Sequence, residues 1–212
     1  MMRARHMLGS ALTLLLGACA SAPMHYYTLI APVSGGLTVP VADNATLPAD
    51  GTPLQFELLP VGVPTQVDQP QLVVRQGGQG IAILDGERWI APLGDEVRGA
   101  LSTDLARALH AQDVTGLPDN GKPVLRIKLD LRRFDSEPGN YALIDAAWSL
   151  RLPGAANRAV LACSNRVSES VGTGYDALVQ GHQRALARLA EQIAATARPY
   201  AAGQSVGCPA NG

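Results

Sequence analysis

"VLRIKLDLRRF", residues 124–134, alternates without a break from Leu125 to Arg132. Leu125, Ile127, Leu129 and Leu131 fall on one face, and Arg126, Lys128, Asp130 and Arg132 on the other. A period of two is the signature of a strand with one face buried and one in water. Phe134 falls on the parity of the charged residues. One extra residue near Arg132–Arg133, a β-bulge, returns it to the buried face. "YALIDAAWSLRL" (141–152) alternates as well, with Ile144, Ala146, Trp148, Leu150 and Leu152 inward. "RAVLACSNRVSES" (158–170) reads as a third strand, less clearly sided. Successive one-sided strands imply an antiparallel or mixed sheet covered on one face only.

Two segments carry the helical stripe that covers such a face. In 91–111 it is Leu93, Val97, Ala100, Leu101, Leu105, Ala108 and Leu109. Pro92 suits a first turn. Asp95 and Glu96 lie near the positive end of that helix dipole, and Arg107 and His110 near the negative end. In 175–198 the stripe is Leu178, His182, Ala185, Leu186, Leu189, Ile193 and Ala197, and Pro199 is expected to end the helix. Gly181 inside this helix is expected to mark close packing on the sheet.

Upstream, "HYYTLIAP" (25–32) and "LQFELLPVGVP" (54–64) read as strands. Residues 71–89 read as two short strands around the turn "QGGQG". Those glycines do not open a helix, as a dinucleotide fingerprint requires. Residues 33–53, rich in Gly, Pro, Ala and Thr, are expected to be a mobile insertion. The fold class is α+β: a single domain with a twisted, mostly antiparallel or mixed sheet and two main helices packed on one face.

The N-terminus gives an address. Arg3 and Arg5 precede an apolar run, Leu8 to Leu16, that ends in Leu16-Gly17-Ala18-Cys19. The run is too short to span a bilayer, which takes about 20 residues. It fits a signal-peptide core. The ending resembles a bacterial lipobox, in which the cysteine takes a diacylglycerol and, after cleavage, an N-acyl chain. Two or three chains on one residue make anchoring effectively permanent. Residues 1–18 are thus the expected signal peptide, 19–24 the lipidated tether, 25–200 the domain and 201–212 a tail. Ala20, rather than Asp, after Cys19 suggests the periplasmic face of the outer membrane of a Gram-negative bacterium. Two further cysteines remain, Cys163 and Cys208. An oxidising periplasm allows them to pair; the alternative is two free thiols.

Removing residues 1–18 takes the net charge from −1 to about −3, and this near-neutrality argues against nucleic-acid binding. Aromatic residues make up only 4%, so the core must be aliphatic. His25, His110 and His182 are scattered, with no Cys, Asp or Glu at metal-ligand spacing. No S-x-x-K or H-E-x-x-H occurs, and the G-x-S-x-G at Gly203-Gln204-Ser205-Val206-Gly207 lies in the tail with no helix after it to make a nucleophile elbow. The reading is a non-enzymatic protein with no cofactor or metal, apart from the covalent lipid on Cys19.

One stretch carries a more specific pattern: "VDQPQLVVR" (67–75) followed by "RWIAPL" (88–93), after a lipobox and "YYTL". The order resembles the PqiC (YmbA) family, the ABC-type transport auxiliary lipoproteins. Their pattern has an aromatic–Leu pair before Asp and an Arg before Pro; here Gln66, Val67 and Gln69 stand at those places, and Ala91 replaces a usual Glu. The resemblance implies a subunit of an envelope lipid-transport system that docks an MCE-domain tunnel protein (PqiB-like) at the outer membrane. Through that protein it would meet an inner-membrane PqiA-like protein. A homo-oligomeric ring would suit an axial tunnel. The matched positions, Asp68, Pro70, Gln71, Arg75, Trp89, Pro92 and Leu93, are the candidate partner contacts. Their competing reading is structural: Trp89 as a core plug, Pro92 as a helix starter, Arg75 in a strand-end ion pair. The alternative function is a peptidoglycan-synthesis or Tol-type scaffolding lipoprotein, with a lipid-anchored hydrolase as a third class.

Overall fold

The alternating segments form the long strands of a five-stranded sheet. Among the described residues the elements run in the order β1 His25–Tyr27, β2 Gln55–Leu58, β3 Gln71–Arg75, β4 Ile81–Trp89, α1 Leu93–Leu109, β5 Gln112–Asp113, β6 Val124–Glu137, β7 Tyr141–Arg151, β8 Leu161–Ser170 and α2 Tyr175–Ala201. The structure is a computed structural model and describes residues 23–32, 54–154 and 158–210. Cys19 and the 33–53 insertion therefore lie outside the described residues.

The larger sheet has the order β5-β2-β6-β7-β8. β2 is parallel to both β5 and β6, and β6, β7 and β8 are antiparallel. The fold is thus mixed α+β. Where one twisted sheet is expected, there are two, because β1, β4 and β3 form a separate three-stranded sheet. The bulge falls where the parity of Phe134 requires it, with the β6–β7 register shifting between Leu131 and Arg133. Leu125, Ile127, Leu129, Leu131 and Phe134 are all buried as a result.

α2 packs on β7 and β8, and α1 packs against α2. Every residue of the α2 stripe is buried. A Cβ built on Gly181 would lie 2.2 Å from Val171 Cγ1 and 3.0 Å from the Ala142 Cβ. Gly181→Ala gains about 1 kcal/mol of helix propensity but overpacks the contact by about 1–3 kcal/mol. The expected net result is a loss of about 1 kcal/mol in a urea titration.

Several boundaries differ from expectation, and β2 stops at Leu58 rather than running on to Pro64. β1 ends at Tyr27, since Thr28 and Leu29 turn inward to bond Glu96 rather than a neighbouring strand. α2 runs through Pro199 to Ala201 instead of stopping. Proline forgoes one helical hydrogen bond, but tertiary contacts hold the last turn in place. The Tyr200 ring is buried and its hydroxyl donates to the Ala159 carbonyl at 2.9 Å. Arg158 Nη1 donates to the carbonyls of Tyr200 and Ala201 at 2.6 and 3.0 Å, capping the helix C-terminus. Beyond the helix, Cys163 and Cys208 form a disulfide with a Cα–Cα distance of 5.4 Å. It ties the C-terminal segment to β8.

Candidate functional site

The motif stretch builds the small sheet and its connection to α1. Val67 and Asp68 donate backbone N–H bonds to the Pro64 carbonyl at 3.0 and 3.1 Å, closing a turn. Asp68 and Pro70 are exposed on it. The Pro70 carbonyl accepts the Trp89 N–H at 2.8 Å, so the start of β3 and the end of β4 are joined. Gln71 pairs with Arg88 across the ladder and is half-buried. From there the chain reaches Pro92, exposed, which is the N-cap of α1 rather than its first helical residue. Its carbonyl accepts the N–H groups of Asp95 and Glu96.

Of the other matched residues, Trp89 and Leu93 point inward, and Arg75 reaches across to β6. Trp89 is 6% exposed and meets Phe134 edge-on at 6.0 Å. Phe134 in turn stacks on His182 at 3.9 Å. Leu93 is buried in the same cluster. The Arg75 guanidinium donates to Asp135 Oδ1 at 2.7 Å, and Arg133 bonds the other carboxylate oxygen. Burial of Asp135 pushes its pKa up, but the bonds and charges of the two arginines outweigh that and hold it below the usual carboxylate range. Arg75→Met leaves a mostly buried carboxylate with one partner. It is expected to cost about 1–3 kcal/mol at pH 7, part of which Asp135→Asn should restore in the double variant. The denaturation midpoints of the three variants check this.

Three features of the site carry no signal in the sequence. The Glu87 carboxylate accepts the Tyr27 hydroxyl at 2.6 Å and lies 3.0 Å from the His25 ring, clamping β1 onto β4. Burial together with the Glu87 hydrogen bond raises the Tyr27 pKa. Glu87 itself is pushed up by burial and down, more strongly, by Tyr27 and His25. Buried Glu96, which reads in sequence as a helix-dipole residue, accepts bonds from Thr28 Oγ1 and Leu29 N at 2.7 and 2.8 Å. Ile30 and Ile90, which read as strand and linker residues, are 46% and 62% exposed near the start of α1. Ile90 is held there by its N–H bond to the Tyr27 carbonyl.

Chemistry is sparse. His182 is wholly buried, bonded to Ser136 at 2.7 Å. Among the described residues no group of three or more His, Cys, Asp or Glu side chains is placed to hold a metal ion. No helix among them is long and apolar enough to cross a membrane. An open groove of about 540 Å³ over β6–β8 is lined by Lys128, Asp130, Arg132, Ser149, Ser164 and Cys208.

Solved structures share this architecture. An uncharacterized protein superposes with a TM-score of 0.60 at 16% identity, covering 82% of this chain and 97% of its own. Protein XCC0632 from Xanthomonas campestris, of family DUF330, gives 0.55 at 18% identity, covering 71% and 86%. At these identities the likeness is one of fold. No curated protein matches the sequence. The family assignment comes from the model of the ABC-type transport auxiliary lipoprotein component, which matches residues 36–194. The chain belongs to that family. Its members are lipoproteins, membrane-anchored in the cell envelope, and serve as auxiliary components of ABC-type transport.

Proposed function

We propose that this chain is the outer-membrane-anchored, non-enzymatic subunit of an MCE-protein lipid-transport system, acylated at Cys19. The observation that carries the reading is the order of two signals: Leu16-Gly17-Ala18-Cys19, then the transport-auxiliary domain matched over 36–194. The distribution of the motif residues supports a binding role. Trp89 and Leu93 hold the segment in the core, while Asp68, Pro70 and Pro92 stay on the surface. Ile30 and Ile90 add exposed apolar area at the same end of the small sheet. Contiguous exposed apolar surface with a polar rim is typical of a partner site. The partner would be a PqiB-like MCE tunnel protein, reaching an inner-membrane PqiA-like protein, with this subunit self-associated in a ring around the axis.

Photo-crosslinking amino acids placed at Asp68, Ile90 and Pro92 in living cells test this. Capture of an MCE protein from these positions, and not from Leu117 on the far loop, is the expected result. Capture of cell-wall synthases or Tol components alone would replace the transport reading with the scaffolding one.

A further inference from the structure

The small sheet has a second face. Leu72, Val74 and Trp89 point into the core. Their neighbours along the strands point outward, where Tyr26 pairs with Arg88, Val73 with Ile83, and Arg75 with Ile81. No element of the described structure covers Tyr26, Ile81 and Ile83, which are 58%, 52% and 55% exposed, or the adjacent Met24 at 41%. Isoleucines in the middle of an open sheet face are unusual on a surface bathed only by water.

The position of the N-terminus names the occupant. β1 is parallel to β4, with His25 opposite Glu87, and the Pro23 carbonyl lies 3.5 Å from where a Gly86 Cβ would be. The chain before Pro23 therefore leaves toward the Ile81 end of β4. Cys19 lies four positions before Pro23, and even a fully extended chain spans only about 14 Å over that stretch. The Glu87 and Glu96 bonds hold β1 on the body, so this distance cannot grow by peeling the strand away at little cost. An acylated Cys19 would thus bring the bilayer surface to within roughly one strand length of Ile81 and Ile83.

We infer that the outer face of the β1-β4-β3 sheet lies against the lipid surface, with Met24, Tyr26, Ile81 and Ile83 in the headgroup region. Tyrosine suits that depth, with its ring in the apolar layer and its hydroxyl at the water boundary. Arg88 beside it can meet lipid phosphates. The acyl chains then hold the protein in one orientation instead of on a free leash. The inference rests on acylation at Cys19.

The test uses the full chain expressed in its own envelope, with a benzophenone amino acid at Tyr26, Ile83, Leu117 or Val160 in turn. Leu117 and Val160 are similarly exposed but lie away from this sheet. Illumination is followed by mass spectrometry of the adducts and of the N-terminal peptide. Phospholipid adducts at Tyr26 and Ile83, at least tenfold above those at Leu117 and Val160, are expected. Equal lipid labelling at all four sites, or adducts at Ile83 only to a second copy or to another protein, would overturn the orientation while leaving the anchor intact. An unmodified Cys19 in the N-terminal peptide would instead overturn the anchor itself, and the orientation with it.

Discussion

Replacing both Cys163 and Cys208 by alanine will lower stability by about 4 kcal/mol. The bridge closes a loop with a sequence separation of 45 residues, and the chain-entropy relation for a loop of that length gives about 4 kcal/mol at 25 °C. For a chain of this size that corresponds to a fall in Tm of about 8–16 °C. The tail supplies little else to offset the loss. Among residues 203–210 only Val206 packs against the core, and Cys208 itself is exposed. Dithiothreitol should reproduce the shift in the wild type and do nothing to the double variant. A loss below about 1 kcal/mol would mean that the reduced, unfolded chain already keeps the tail near β8.

The second large effect is one of pH. Burial pushes the pKa of His182 down to about 3, against a small opposing pull from Asp135. The ring stays neutral in the folded protein, bonded to Ser136 and stacked on Phe134, and Nδ1 has no hydrogen-bond partner. The unfolded chain takes up a proton near pH 6.5, the folded one not until about pH 3. Between these values the unfolded state binds more protons, so stability is full above about pH 6.5 and declines as pH falls toward 3. From pH 6 to pH 4.5 the loss should be on the order of 2 kcal/mol. Asp135 has the same sign but acts lower, its stabilisation being lost only as pH falls from the ordinary carboxylate range through its depressed value. His182→Leu should therefore be nearly flat from pH 6 to 4.5. It should also be about 1–3 kcal/mol weaker at pH 7, because Ser136 loses its partner. Urea titrations of both proteins across that range give the two slopes.

These effects show where the sequence speaks for itself and where it does not. Period-two alternation in β6 and β7 and the stripe of α2 are properties of single segments, so their faces, and even the bulge before Phe134, can be read without a structure. The split into two sheets depends on pairings between distant strands, and β1 with β4 spans some 62 positions, from His25 to Glu87. The end of α2 misleads because Pro199 is a local signal, while Tyr200 and Arg158 override it through tertiary contact. In the motif stretch, residue type identifies which positions matter but not which way they point. Trp89 and Leu93 turn inward, and Ile30 and Ile90, unremarkable in the sequence, turn outward. Glu87 and Glu96 look like ordinary surface charges until β1 is laid against them.

The central claim is an acylated, membrane-held subunit that binds an MCE tunnel. Affinity purification of the full chain from detergent-solubilised outer membranes, with native mass spectrometry of what elutes, tests it most directly. The account predicts a Cys19-acylated protein that elutes in stoichiometric complex with an MCE-domain protein, and loss of both outer-membrane fractionation and the complex in Cys19→Ala. An acylated protein that elutes without any MCE partner, or with cell-wall synthases in its place, would contradict it.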